Sequence, residues 1–453
     1  MFIRAIQKEL EIWSAQKDRK PMVIRGARQV GKTTLVEQFS TKYEQYIYMN
    51  LELAADKQPF LDFTNLETLV QALFFIKNKT LASKSNTLLF IDEIQEVPAA
   101  LNILRYFYEQ EPSLTVIAAG SMLETLFKKD IHFPVGRVEY KVVRPVSFPE
   151  FLQAMGETAA FEQLQNVPLP AFAHSKLLRL FHTYALIGGM PEIVNHYATH
   201  KDLSALAPIY DSLIVSYMDD VEKYAFNSTQ VMHIRHVIRT SFAQAGKRIK
   251  FAGFGNSDYR SREMGEALRT LEKALLIHLI YPGTTAVLPL LPDIKKSPRL
   301  QLLDTGMMNY FVGIQKEILG TDDLNKVYQG TMIEHLVGQE LLSVQYNALS
   351  QLHFWVRDKK ESSAEVDYIF PYDGKLIPVE VKSGATGTLK SLHLFMDMAP
   401  HTLAVRFYAG ELKMTDAETA TGKKYHLLNL PYYLATQLTD YLSWFQQQIK
   451  NKK

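Results

Sequence analysis

Two rhythms of apolar and polar positions run along this chain. In residues 1–155, five short β-rich runs ("PMVIRGA", "YIYMNLE", "TLLFIDE", "LTVIAAGS" and "EYKVVRPVSF") are separated by stretches long enough for crossover helices. That alternation predicts an α/β domain around a parallel sheet. Ahead of it, "MFIRAIQKELEIW" has the spacing of an amphipathic helix interrupted by charges. The polar, proline-bearing stretch "ETAAFEQLQNVPLPAFAHSK" reads as a connection. Residues 172–325 then read as mainly helical. "HSKLLRLFHTYALIGGMPEIV" ends a helix at a Gly-Gly-Met-Pro corner. "SREMGEALRTLEKALLIHLIYPG" is a helix running into a strand, and "RLQLLD" supplies a second strand. A helix followed by a strand pair is the reading of a winged helix-turn-helix. Residues 326–453 form a third unit: the helix "GTMIEHLVGQELLSVQYN", the strand "HFWVRD", a hairpin at "EVDYIFPYDGKLIPVEVKSG", then "SLHLFMDM", "LAVRFYAG" and a helical tail.

Composition adds limits. At about 100–200 residues per domain, a chain of this length holds two to four domains. The sequence has 47% hydrophobic and 22% charged residues, ordinary for a globular protein. It has no cysteine, which excludes disulfides, thiolate metal sites and a cysteine nucleophile. No apolar run approaches the roughly 20 residues of a membrane span, and no signal-peptide core is visible, so the expectation is a cytoplasmic protein with no membrane partner. Histidines 353 and 393 lack the spacing of a zinc pair.

The chemistry begins at "GARQVGKTT", which fits G-x-x-x-x-G-K-[ST] between a strand and a helix. Gly26, Ala27, Arg28, Gln29, Val30 and Gly31 form a loop whose N–H groups face phosphates. Lys32 brings a point charge to the β- and γ-phosphates, Thr33 a hydroxyl for Mg²⁺, and Thr34 continues the helix N-terminus. "TLLFIDEIQ" places Asp92 and Glu93 at the C-terminal end of a strand, where α/β sheets bind ligands. Asp92 is the expected Mg²⁺ partner and Glu93 the residue that polarises the attacking water. ATP and Mg²⁺ are therefore the expected cofactors.

These residues, with "AAGS", "GR" and "RPVSFPEFL", resemble a prokaryotic branch of the AAA+ ATPases. In that branch the ATPase domain is joined to a winged-helix region and a C-terminal domain of uncertain function. The resemblance implies that Ser121 is the polar sensor of the γ-phosphate. It also implies that Arg137 is an arginine finger or sensor arginine; a surface arginine at a turn is the competing reading. Arg28 is a candidate to face a neighbouring subunit in a homo-oligomer.

The net charge is only +2 over the whole chain. Between Arg235 and Arg299, however, twelve Lys/Arg stand against five Asp/Glu. Such an excess suits phosphate contacts, so DNA is an expected partner, through a recognition helix near 261–273 with Arg262 and Arg269, and a loop with Lys295 and Lys296. A lid or oligomer contact with solvated basic residues is the alternative.

Asp373-Gly374 is a type I′ hairpin signal. With that turn, Tyr372 faces Lys375, Asp367 faces Glu380, and Glu365 faces Lys382, and residues 365, 367, 380 and 382 all project from one face. Opposed carboxylates repel, and a divalent cation would convert the repulsion into coordination. Lys382 would then stabilise developing negative charge. The D-x(12)-E-V-K pattern resembles the PD-(D/E)xK nuclease superfamily, although no proline precedes Asp367 here. That superfamily carries a further acid on the preceding helix. Glu334 beside the apolar stripe and Glu340 within it are the candidates, giving Asp367, Glu380, Glu334 and Glu340 as possible ligands of a second divalent metal. The competing reading is a Glu365–Lys382 ion pair in a fold without nuclease chemistry.

The expectation is thus an α/β protein of three parts: an AAA+-like ATPase domain (1–155), a winged-helix domain (172–325) and a restriction-endonuclease-like domain (326–453). Its function would be to couple ATP hydrolysis to a DNA-associated, nuclease-like domain. The alternative is a nucleotide-gated signalling or interaction protein with an inert nuclease fold.

Overall fold

The computed structural model describes residues 2–63, 65–121, 136–225, 227–315, 330–358, 364–382 and 389–451. The chain divides into two compact units. The first comprises residues 1–144 with 273–275 and 345–349. The second comprises 145–272, 276–344 and 350–453. The boundary expected at 325/326 lies outside the described residues.

The first unit is built on five parallel strands: β1 (Met22–Arg25), β2 (Gln45–Asn50), β3 (Thr87–Asp92), β4 (Thr115–Gly120) and β5 (Glu139–Val142). Four lie within the β-rich runs and β2 starts one residue ahead of its run, at Gln45. Their order across the sheet is β2-β3-β4-β1-β5. β3 and β4 are buried along their whole length, which explains why they read as continuous apolar runs rather than as alternation. Ile47, Leu89, Ile91 and Val116 pack on Leu69, Leu73, Leu101 and Phe107 of the helices Leu66–Ile76 and Pro98–Gln110. Because all strands are parallel, their C-terminal ends share one edge, where Arg25, Asp92 and Gly120 emerge.

The second unit opens with helix Phe148–Ala154, started by a capping box in which Ser147 and Glu150 satisfy each other's backbone N–H. The stretch read as a connection carries a helix of its own, Thr158–Leu164, held by buried Ala160 and Leu164. Longer helices follow, including His174–Ile187, Ala207–Tyr224, Ser228–Ser241 and Ser261–Lys273. The last buries Met264, Leu268 and Leu271 and turns Arg262 outward. After it come β6 (Ile277–Ile280), β7 (Pro282–Gly283) and β8 (Arg299–Leu302), with β6 and β8 antiparallel.

The remaining strands of this unit are β9 (Phe354–Val356), β10 (Glu365–Val366), β11 (Tyr368–Tyr372), β12 (Lys375–Val381), β13 (Leu403–Tyr408), β14 (Lys413–Glu418) and β15 (Lys424–Pro431). Five of them form a mixed sheet of order β11-β12-β13-β15-β14. Helix Lys390–Met398 carries the chain from β12 to its parallel neighbour β13. The hairpin turn is as expected: Asp373 and Gly374 both have positive φ, at 46° and 70°, and Tyr372 pairs with Lys375. Two features differ from the sequence expectation. The helical tail is confined to Leu438–Asn451, and the β14–β15 hairpin stands before it. β10 leaves the hairpin and pairs with β9, placing Glu365 opposite Val356 rather than Lys382. Among the described residues, no helix is long and apolar enough to cross a membrane.

Candidate functional site

The loop after β1 wraps around its own lysine. Gly31 takes φ 89° as the residue before helix Lys32–Ser40, a conformation that suits glycine. A Cβ on Gly26 would lie 2.6 Å from the Val143 carbonyl oxygen, so this position tolerates no side chain. Lys32 is buried, and its ammonium donates to the carbonyls of Gly26 (3.1 Å) and Ala27 (2.9 Å). Burial pulls its pKa down, against the opposing pull of Glu93 and Asp92. Arg4 braces the loop from beneath, donating to Val30 O at 3.1 Å and to Arg144 O at 2.7 Å.

Thr33 and Asp92 meet. The Thr33 hydroxyl donates to Asp92 Oδ2 at 2.7 Å, although 59 positions separate them. Tyr48 donates to the same oxygen at 3.3 Å, and the Glu93 N–H donates to Asp92 Oδ1 at 3.0 Å. Burial raises the Asp92 pKa, opposed by these hydrogen bonds and by Lys32. Glu93 has φ 49°, ψ 45°, so the chain turns sharply after β3, and Gln95 holds its carboxylate. β4 lies between β1 and β3, which sets Gly120, and Ser121 after it, at the strand ends between the loop and the acidic pair. Arg137 is half-exposed and donates to Glu109 at 2.9 Å.

The donor set suits a magnesium nucleotide. The loop leads into a helix N-terminus, a lysine lies buried in the loop, and a hydroxyl and a carboxylate sit in contact, two hard oxygens of the kind magnesium takes. Residues 18–152 match the AAA domain family. The first unit is an AAA-type P-loop domain. Residues 178–318 match a domain of unknown function, DUF8612, and residues 329–433 another, DUF4143. No curated protein matches the sequence. Among solved structures, the chain is similar to a Walker-type ATPase of Pyrococcus abyssi, with 15% identity, 69% of this chain and 96% of that chain covered, and TM-score 0.45. It is also similar to Drosophila ORC bound to DNA (14% identity, 58% and 65% covered, TM-score 0.24) and to C. elegans PCH-2 (13%, 60% and 70%, 0.24). Similarities of that size carry no functional inference.

The second unit holds the other acidic group. Asp367 and Glu380 are both buried, and the Val381 N–H donates to Asp367 Oδ2 at 2.7 Å. Lys382 Nζ is paired with Glu380 Oε1, leaving Glu380 Oε2 as a buried oxygen without a hydrogen bond. Burial, then Asp367, pushes the Glu380 pKa up to about 8. Glu334 joins this cluster and is likewise pushed up to about 8, by burial and then by Asp367. Glu340 does not join it. Its carboxylate accepts from the Phe148 N–H at 3.0 Å and from Tyr184 at 2.6 Å, on another side of the helix Gly330–Ser343.

What the sequence reading missed is Arg299, counted there among the surface cations. Its side chain is 4% exposed. Nη1 donates to the Asp367 carbonyl at 3.0 Å and lies 3.6 Å from Glu334, while Nη2 bonds Glu365 and lies 3.7 Å from Asp367 Oδ1. Arg248 adds a second cation 3.7 Å from Glu365. An arginine inside the apolar run "RLQLL" needs a buried acid, and that was the available signal. Three of the four carboxylates thus face a guanidinium, so the cluster as folded does not fit a divalent metal. No group of three or more His, Cys, Asp or Glu suited to a metal occurs among the described residues.

Of the basic residues expected on DNA, Arg262 is exposed and pairs with Glu266 at 3.2 Å. Arg269 lies over the Phe251 ring at 5.9 Å. Lys296 pairs with Asp358 at 3.2 Å, and the Lys295 N–H donates to Asp293 Oδ1 at 3.0 Å.

Proposed function

We propose that this chain is a Mg²⁺-dependent ATP hydrolase whose nucleotide state governs its second unit. The Thr33–Asp92 contact carries the reading, because it brings a P-loop hydroxyl and a strand-end carboxylate together at the place a magnesium ion needs them. Lys32 would trade the carbonyls of Gly26 and Ala27 for the β- and γ-phosphate oxygens. Thr33 and Asp92 would hold Mg²⁺, which offsets charge on the transferred phosphoryl group when bound. Glu93, released by Gln95, would orient the attacking water, and Ser121 would contact the γ-phosphate. Arg137 pairs with Glu109 within its own chain, so a finger role would require a neighbouring copy to receive it in a homo-oligomer. The test is phosphate release by the wild type and by Lys32→Ala. Loss of about 10²-fold or more is expected, and an unchanged rate refutes the reading.

In the second unit, the order helix, antiparallel hairpin, crossover helix and parallel strand supports a nuclease-like fold. The helix Ser261–Lys273 followed by the β6–β8 pair supports a winged helix, with Arg262 exposed for DNA phosphates. One observation favours the second reading, an interaction or signalling protein whose nuclease-like fold is inert: the guanidinium of Arg299 inside the acidic cluster.

A further inference from the structure

We propose that Arg299 is the resident cation of the Glu334–Glu365–Asp367 cluster and closes it to divalent metal. The nuclease-like reading of the fold matters here only in naming metal as the excluded ligand.

β8 is buried along its length and paired with β6, and the Arg299 side chain at its start is 4% exposed. Its fork takes the Asp367 carbonyl and the Glu365 carboxylate and lies within 3.7 Å of Glu334 and Asp367 Oδ1. The guanidinium lies over the rings of Phe354 and Tyr368, 4.9 and 5.8 Å from their centroids. A planar, permanently charged fork between aromatic faces matches carboxylates in a way an ammonium does not. Burial opposes its charge, and the three acids more than restore it.

Two further oxygens of the cluster are engaged. Asp367 Oδ2 accepts from Val381, and Glu380 Oε1 from Lys382. Among the described residues, Glu380 Oε2 and Arg299 Nε are buried without a hydrogen bond, and Glu334 Oε2 and Asp367 Oδ1 meet the guanidinium at 3.6 and 3.7 Å, ion-pair distances rather than hydrogen bonds. Mg²⁺ takes about six oxygen ligands, commonly one or two carboxylates with water or phosphate oxygens making up the rest. A divalent ion entering here would have to share these carboxylates with the Arg299 guanidinium and the Lys382 ammonium, which already offset their charge. Because the guanidinium does not deprotonate in proteins, no ordinary pH change opens the site. In the same way the cluster ties β8 to β10 and to helix Gly330–Ser343, a structural role that uses the carboxylates up.

The test is a titration of the full-length, nucleotide-free protein with Mn²⁺, following the free-ion signal by electron paramagnetic resonance. Wild type and Asp367→Asn are expected to take up the same Mn²⁺. Arg299→Gln is expected to gain about one equivalent, bound at least about tenfold tighter than by wild type and lost again when Asp367→Asn is added. Because Arg299→Gln leaves buried carboxylates uncompensated, the double variant Arg299→Gln/Glu365→Gln provides a second folded protein for the same titration. Uptake by wild type that disappears in Asp367→Asn overturns the proposal. So does a folded Arg299→Gln or double variant that takes up no more Mn²⁺ than wild type. Neither readout depends on ATP hydrolysis or DNA cleavage, so the proposal stands or falls apart from those readings.

Discussion

Thr33 donates its hydroxyl to Asp92 Oδ2 at 2.7 Å, joining the first turn of the helix after the P-loop to the end of β3. The pair makes a ready oxygen site, with Tyr48 holding the same carboxylate oxygen at 3.3 Å. Asp92→Asn keeps the shape and removes the charge. Hydrolysis should fall by about 10²–10³, while nucleotide binding measured without Mg²⁺ should persist. Equal rates for variant and wild type across a magnesium titration would show that Asp92 has no part in holding the ion.

Glu93 leads to a different expectation. It lies past the strand end in a left-handed conformation, and its carboxylate is held by Gln95 rather than by Thr33 or Lys32. A residue that orients water acts on kcat and not on nucleotide affinity. Glu93→Gln should therefore lose about 10²–10⁴ in kcat with KM nearly unchanged. A matched rise in KM at constant kcat would instead make Glu93 a binding residue.

Gly26 is where the P-loop has no slack. An added methyl would meet the backbone oxygen of Val143 at 2.6 Å and Val30 Cγ2 at 3.0 Å. The first of these is main chain, held in turn by the bond from the Val143 N–H to Arg25 O. Gly26→Ala should thus displace the loop, at a cost of about 1–3 kcal/mol, and abolish ATP binding by calorimetry. Wild-type affinity in this variant would mean that the loop can shift without loss.

The P-loop unit was legible because each element there is local. A glycine motif follows an apolar strand, and an acidic pair ends another, so short windows contain the signal. The hairpin register at Tyr368–Val379 was legible for the same reason, since the Asp-Gly turn counts it out. Glu365 escaped because β10 changes partner one residue before β11 begins, and period-2 reasoning cannot see a strand leave for another sheet. Arg299 escaped because its acids lie 35 or more positions away, and charge counting treats every arginine as surface. Glu340 was recognisable as a buried acid needing partners, but those are 156 and 192 positions distant. β14 escaped because "KMTDAE" is an exposed edge strand with little apolar patterning.

The basic helix can be tested by salt. Arg262 is 89% exposed and bound only loosely at i,i+4 to Glu266, so contact with a phosphate would displace little. Reversing it with Arg262→Glu should weaken duplex retention for every sequence alike and lower the salt slope by about 1. Binding with the same slope in wild type and variant would assign this face to a lid or oligomer contact.

Glu340 is a fully buried acid whose pKa burial pushes from 4.5 up to about 8. Geometry supports the protonated form. The single proton of Tyr184 has two acceptors in reach, Val146 O at 2.8 Å and Glu340 Oε1 at 2.6 Å, while Gln339 donates to the same phenol oxygen at 3.1 Å. If Glu340 carries the proton, it donates to Tyr184, Tyr184 donates to Val146, and no oxygen goes without a partner. With the folded pKa raised, the folded state holds more protons than the unfolded chain between the two values. The stabilisation from Glu340 is therefore complete below pH 4.5 and disappears as pH rises through about 8. Asp304, pushed up to about 6 by burial, adds to the fall, and His335, pulled down to about 3, opposes it. The informative quantity is thus the difference between Glu340→Gln and wild type. Glutamine can donate to Tyr184 and accept from Phe148 as the neutral acid does, so its curve should lie progressively above that of wild type as pH climbs from 5 to 8. Parallel urea-unfolding curves for the two proteins across that range would show that Glu340 is ionised in the fold.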